Sequence, residues 1–129
     1  MNAIDFKDEE AVKEYIDRIG VEFRFQCFSE ERTDGCHRLG DWLEFAKKDW
    51  TAAARIFKLN CDAYQYGHSC FKYGVYSFLG RGMKSPDKAV AARYYEQGCY
   101  SPDSPHPPVS SKQGFGSESG LLCQSLPNW

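Results

Sequence analysis

Apolar residues fall along the first hundred positions in stripes of helical spacing. Val12, Tyr15, Ile16 and Ile19 share one face after Asp8, which reads as an N-cap with Glu9 and Glu10 in the first turn; Gly20 reads as the end of that helix. Val21, Phe23, Phe25, Cys27 and Phe28 come close to the alternation of a strand, but their helical surroundings make 21–31 a second helix. Cys36, Leu39, Gly40 and Leu43, at i, i+3, i+4 and i+7, form the buried stripe of a third, which Trp42 and Phe45 widen. Asp49 then caps a helix from about Trp50 to Asp62 that turns Ala53, Ala54, Ile56, Phe57 and Cys61 inward. Cys70, Tyr73, Gly74 and Ser77 mark the next. After a Gly80-Arg81-Gly82 turn, Ser85-Pro86-Asp87 opens a last helix over 89–98, with Pro86 suited to its first turn.

These stripes repeat. Cys27 and Cys36 are spaced like Cys61 and Cys70, with an offset of 34 between the pairs, and Cys36, Leu39, Gly40 and Leu43 line up with Cys70, Tyr73, Gly74 and Ser77. Further on the offset is 38, setting Asp49, Ala53, Ala54, Arg55, Phe57 and Cys61 against Asp87, Ala91, Ala92, Arg93, Tyr95 and Cys99. A period of this length belongs to helix-hairpin solenoids, in which each unit buries its apolar face on its neighbour. The expected fold is therefore an all-α antiparallel helix-hairpin solenoid, with a cap and degenerate repeat over 1–33 and repeats over 34–66 and 67–100. From Ser101 onward the pattern stops: the last 29 residues hold seven Ser and five Pro, too little apolar surface to offset the entropy of ordering, and 101–129 reads as a disordered tail.

Composition narrows the function. A 42% hydrophobic and 16% aromatic content suffices for one core, while a net charge of -2 without a basic stripe argues against nucleic acid. No apolar run is long enough to span a membrane, and the acidic start of the chain resembles neither a secretory signal nor a mitochondrial presequence. No catalytic motif stands out. The S-x-x-K, S-D-N and K-T-G elements of a serine beta-lactamase are absent, as is the C-x-x-C pair of an oxidoreductase.

The cysteines carry the chemistry. Cys27 with Cys36 and Cys61 with Cys70 are either structural bridges or free core thiols, and their repeated spacing favours bridges that tie one unit to the next. A loop of that size would constrain the unfolded chain by roughly 2.5–3 kcal/mol per bridge. Cys99 has no cysteine at the matching distance, and is either a free thiol or a partner for Cys123. Bridges need an oxidising compartment. For a small helical chain without a leader, the mitochondrial intermembrane space, where paired cysteines are trapped by oxidation, reconciles the two. His37 and His68 lie near cysteines in sequence, but their spacing matches no zinc-finger pattern, and His106 reads as solvated. Phe57, Tyr64, Tyr66, Phe71, Tyr73, Tyr76, Phe78, Tyr94 and Tyr95 divide between core and a partner-binding surface, with Tyr64 and Tyr66 the more exposed.

Leu39-Gly40, Leu79-Gly80-Arg81-Gly82, Lys88-Ala89 and Tyr94-Tyr95 resemble the signature of the Sel-1-like repeat family, a tetratricopeptide-like fold. Asp34-Gly35-Cys36, Lys58-Leu59-Asn60-Cys61 and Ser69-Cys70 resemble its cysteine-bridged branch, grouped with the cysteine-rich beta-lactamase-like (hcp) proteins. The likeness stops near Tyr100, after which the chain looks like an alternative or misread C-terminus. The mitochondrial members of that branch imply an intermembrane-space factor for building cytochrome c oxidase and complex I. Its partners would be respiratory-complex subunits, their assembly proteins or copper chaperones, and it would hold them rather than act as an enzyme. Haem, ligated through His37 or His68, and thiol reduction of copper chaperones are implied by the resemblance alone; so is a beta-lactamase-like activity.

Overall fold

The computed structural model describes residues 7–100, all of whose regular structure is helical: α1 (Glu9–Arg24), a π-helical turn (Phe25–Ser29), α2 (Thr33–Phe45), α3 (Trp50–Tyr64), α4 (Gly67–Leu79) and α5 (Lys88–Tyr100). The residues read as a disordered tail lie outside the described residues. Aspartates open three of the helices. Asp8 Oδ1 accepts the N–H groups of Glu10 and Ala11, Asp49 Oδ1 that of Ala52 (3.1 Å), and Asp87 Oδ1 that of Val90 (3.1 Å).

Each helix packs mainly on its neighbours in sequence, so spatial order follows chain order. The largest apolar cluster joins Cys27, Cys36, Leu39, Trp42, Leu43, Ala53, Ala54, Phe57 and Tyr76; Ile16, Ile19 and Phe23 of α1 pack against it. Two smaller clusters follow, one around Phe71, Ala91, Tyr95 and Cys99, the other around Cys61, Cys70 and Tyr94.

The separate second helix expected over 21–31 is not there: 21–24 belong to α1 and 25–29 to the π-helical turn. Gly20 does not end the first helix, which runs on through it to Arg24 and into the π-helical turn. A Cβ at Gly20 would lie 2.3 Å from Cζ2 of Trp42, whose indole N–H donates to the Ile16 carbonyl (2.9 Å). The missing side chain is there to seat an indole ring rather than to terminate a helix.

Local contacts recur at the offsets seen in the sequence. The Arg32 N–H donates to the Gln26 carbonyl (3.0 Å) as that of Tyr66 does to Asn60 (3.3 Å), and Glu31 and Gln65 both take left-handed φ values, 52° and 55°. The Asp49 N–H donates to the Leu43 carbonyl at 2.9 Å and that of Asp87 to Ser77 at 2.8 Å. A Cβ on Gly40 would meet Phe57 and one on Gly74 would meet Tyr95, so the same glycine-on-ring contact joins α2 to α3 and α4 to α5.

Candidate functional site

Both cysteine pairs are bridged across the junctions between helices. Cys27 in the π-helical turn joins Cys36 in α2 (S–S 2.09 Å, Cα–Cα 4.3 Å), and Cys61 in α3 joins Cys70 in α4 (S–S 2.06 Å, Cα–Cα 4.8 Å). Within each pair the turn reverses the chain, which brings cysteines nine residues apart to bonding distance. All four residues are buried, at 3%, 1%, 0% and 1% exposure in chain order. Cys99 is buried and disulfide-bonded as well, so the free-thiol alternative does not hold for it; Cys123 lies outside the described residues.

Around the second bridge sits a polar network that the sequence did not announce. Asn60, one residue before Cys61, donates from Nδ2 to the Thr33 carbonyl (3.0 Å) and to Ser69 Oγ (2.8 Å). Ser69, one residue before Cys70, lies 2.9 Å from Nδ1 of His37. Ser69 Oγ, which accepts from Asn60, is thereby hydrogen-bonded to His37 Nδ1 as well, and the other ring nitrogen, Nε2, lies 3.6 Å from Asp41 Oδ2. The chain Thr33–Asn60–Ser69–His37–Asp41 thus links α2, α3 and α4. His37 packs against the rings of Phe57, Tyr66 and His68. Burial, with the neighbouring His68 and Lys72, pushes its pKa down to about 4, so the imidazole is neutral at ordinary pH.

A second polar cluster lies beside the first. Lys72 Nζ donates to both oxygens of the buried Glu44 (3.1 and 3.2 Å) and stands 3.7 Å from Asp41 Oδ1. The Tyr76 hydroxyl donates to Glu44 Oε1. Burial, followed by that hydrogen bond, holds the Tyr76 phenol well above its ordinary pKa; burial also raises the Asp41 carboxyl. Sequence reasoning missed Glu44, Asn60, Ser69 and Lys72. The one available signal was that Asn60 and Ser69 each immediately precede a bridged cysteine.

Of the histidines singled out, His37 and His68 come together with ring centroids 5.9 Å apart, and Tyr66 stacks on His68 at 5.3 Å. His106 lies outside the described residues. His37 does not fit an axial haem ligand: one ring nitrogen is bonded to Ser69, the other faces Asp41, and the ring is packed between aromatic neighbours. Among the described residues, no three His, Cys, Asp or Glu side chains are grouped to hold a metal ion. Phe57, Phe71, Tyr76, Tyr94 and Tyr95 are core residues, Tyr66 and Tyr73 are half-buried, and Tyr64 and Phe78 are exposed. Neither polar cluster presents an activated nucleophile. What they do is tie helices together from inside, the first joining α2, α3 and α4 and the second joining α2 to α4.

Over the described residues the protein is thus all helical, with two helix junctions clasped by buried disulfides and with neutral and charged hydrogen-bond networks inside. No family model matches the chain. It is 52% identical over 105 residues to the cytochrome c oxidase assembly factor 7 homolog of Drosophila melanogaster, a match of 79% of this chain and 39% of that protein. To cytochrome c oxidase assembly factor 7 of Xenopus tropicalis it is 42% identical over 96 residues (74% of this chain, 42% of that one), and to the Homo sapiens protein 39% over 99 residues (77% and 43%). The chain is a relative of the cytochrome c oxidase assembly factor 7 proteins. It spans about two fifths of the length of these curated relatives.

Proposed function

We propose that this chain serves the assembly of cytochrome c oxidase in mitochondria, as a scaffold that holds partner proteins. The observation that carries the reading is the identity of 38–52% with proteins named for that role. The two buried clasps support a holding role over a thiol-reductase one, since neither presents a sulfur to an incoming thiolate in the closed fold. The compartment we propose is the intermembrane space, because bridges of this kind persist only where thiols are oxidised. Recurrence of the same hydrogen bonds and glycine-on-ring contacts at the offsets 34 and 38 supports reading 34–66 and 67–100 as two repeats of a solenoid that follows a cap over 1–33. The partners we propose are subunits of complex IV and their assembly proteins, with complex I and copper chaperones as further members of the set.

The test is complementation. In cells deprived of their own relative of this chain, its expression should raise the amount of assembled cytochrome c oxidase on native gels. The tagged protein should fractionate with soluble intermembrane-space proteins, its four clasp cysteines blocked to alkylation. Unchanged oxidase levels with the protein present and oxidised would overturn the assembly role; four reduced cysteines in a cytosolic fraction would overturn the compartment.

A further inference from the structure

The two clasps have the same cysteine spacing and nearly the same burial, yet their surroundings differ. Cys61 rides on α3, which packs on both α2 and α4, and α5 closes over the pair: Tyr94 and Val90 pack on its sulfurs' cluster, and Gln97 Oε1 lies 3.5 Å from Cys61 Sγ. Residues flanking that bridge are tied in as well, Asn60 to Thr33 and Ser69, Ser69 to His37, and Asp62 to the Tyr94 hydroxyl (2.9 Å). Cys27 rides on the π-helical turn, which packs on α2 and on its own α1. At the positions that match Asn60 and Ser69 stand Gln26 and Gly35: Gly35 has no side chain to offer, and Gln26 Oε1, like Asn60 Oδ1, has no hydrogen-bond partner among the described residues. The element that covers the first clasp also leaves apolar surface in water, since Val21, Phe25 and Phe28 are 65%, 58% and 57% exposed.

Buried sulfurs are reached through local opening, and a segment opens at the free energy of the contacts it gives up. For the first clasp those are the contacts of α1 and the π-helical turn with α2, anchored by Trp42. For the second they include the packing of α3 between two helices and the cover of α5. From this asymmetry we infer that the Cys27–Cys36 bridge is a redox-sensitive hinge: it is reduced well before Cys61–Cys70, and its reduction releases α1 and the π-helical turn while α2 to α5 stay folded. The reductant is a dithiol. Its thiolate attacks one sulfur of the bridge, a mixed disulfide forms as the other cysteine leaves as thiolate, and the second thiol of the reductant closes on the first. The reductant ends as a disulfide, Cys27 and Cys36 as thiols, with two electrons and two protons transferred. Nothing in this depends on the partner that the chain holds.

Timed reduction of the folded full chain with dithiothreitol, quenched by N-ethylmaleimide and mapped by peptide mass, reads the order directly. Cys27 and Cys36 should be labelled about tenfold faster than Cys61 and Cys70, or more. Equal rates, or a faster second clasp, would overturn the inference. Amide exchange on the partly reduced protein is the second measurement: α1 should exchange fast while α3 and α4 remain protected, and protection of α1 equal to that of α3 would refute the hinge. Because the native protein is used throughout, no variant needs to fold for the result to count.

Discussion

A single methyl group tests how α2 and α3 meet. At Gly40 the added Cβ would lie 2.4 Å from Cε1 of Phe57, a buried ring with no room to withdraw, whereas at Gly74 it would approach Tyr95 Cδ1 at 3.0 Å. Gly40→Ala should therefore cost about 1–3 kcal/mol in urea unfolding. Gly74→Ala should cost clearly less, because the gain in helix propensity, about 1 kcal/mol, offsets a milder contact. Lys72 offers a test of another kind, as it is the cation beside a buried Glu44. Lys72→Met leaves that carboxylate with only the Tyr76 hydroxyl and should destabilise by about 2–4 kcal/mol; adding Glu44→Gln should recover part of the loss, and a double-mutant cycle measures the coupling. His37 adds a pH dependence. Its pKa, about 4 in the fold against 6.5 for the free side chain, means that the unfolded chain binds the extra proton first as pH falls. Stability should thus be full above about pH 6.5 and decline by about 2–3 kcal/mol towards pH 4, and the decline should be absent in His37→Gln. Asp41, raised by burial, works in the opposite sense at the acid end, so the slope is cleanest near pH 6.

At the scale of elements, the sequence showed most of what local chemistry decides. Aspartate caps at 8, 49 and 87, the apolar stripes and the paired cysteines all point to helices joined by short turns, and the structure has them there. What stayed hidden depends on contacts between helices. Gly20 looks like a stop signal until Trp42 is seen against it; Phe25–Ser29 shares its apolar pattern with both helix and strand, and nothing in it announces a π-helical turn. Glu44, Asn60, Ser69 and Lys72 carry polar side chains at helical spacing, as a solvated face would, and only the facing helix reveals the partners they meet there. The clasps allow a prediction at this scale. Loop-closure entropy is equal for two bridges of equal separation, so replacing either pair by serine should cost about 2.5–3 kcal/mol from the unfolded chain alone. Any excess for Cys61→Ser with Cys70→Ser over Cys27→Ser with Cys36→Ser then measures what the fold adds at the second junction, and thermal melts of the two double variants give it.

Among the described residues, helix contacts run mainly between neighbours in sequence, and the Cys27–Cys36 and Cys61–Cys70 links obey the same rule. Helix upon helix, α1 packs on the elements that directly follow it. Closing a ring between cysteines nine positions apart asks for one reversal of the backbone and little else. A polypeptide threading through a narrow pore, amino end leading, is thereby suited to being fastened one hairpin at a time as it emerges. Each fastening forbids retreat, since a bridged hairpin is wider than the extended strand that passed.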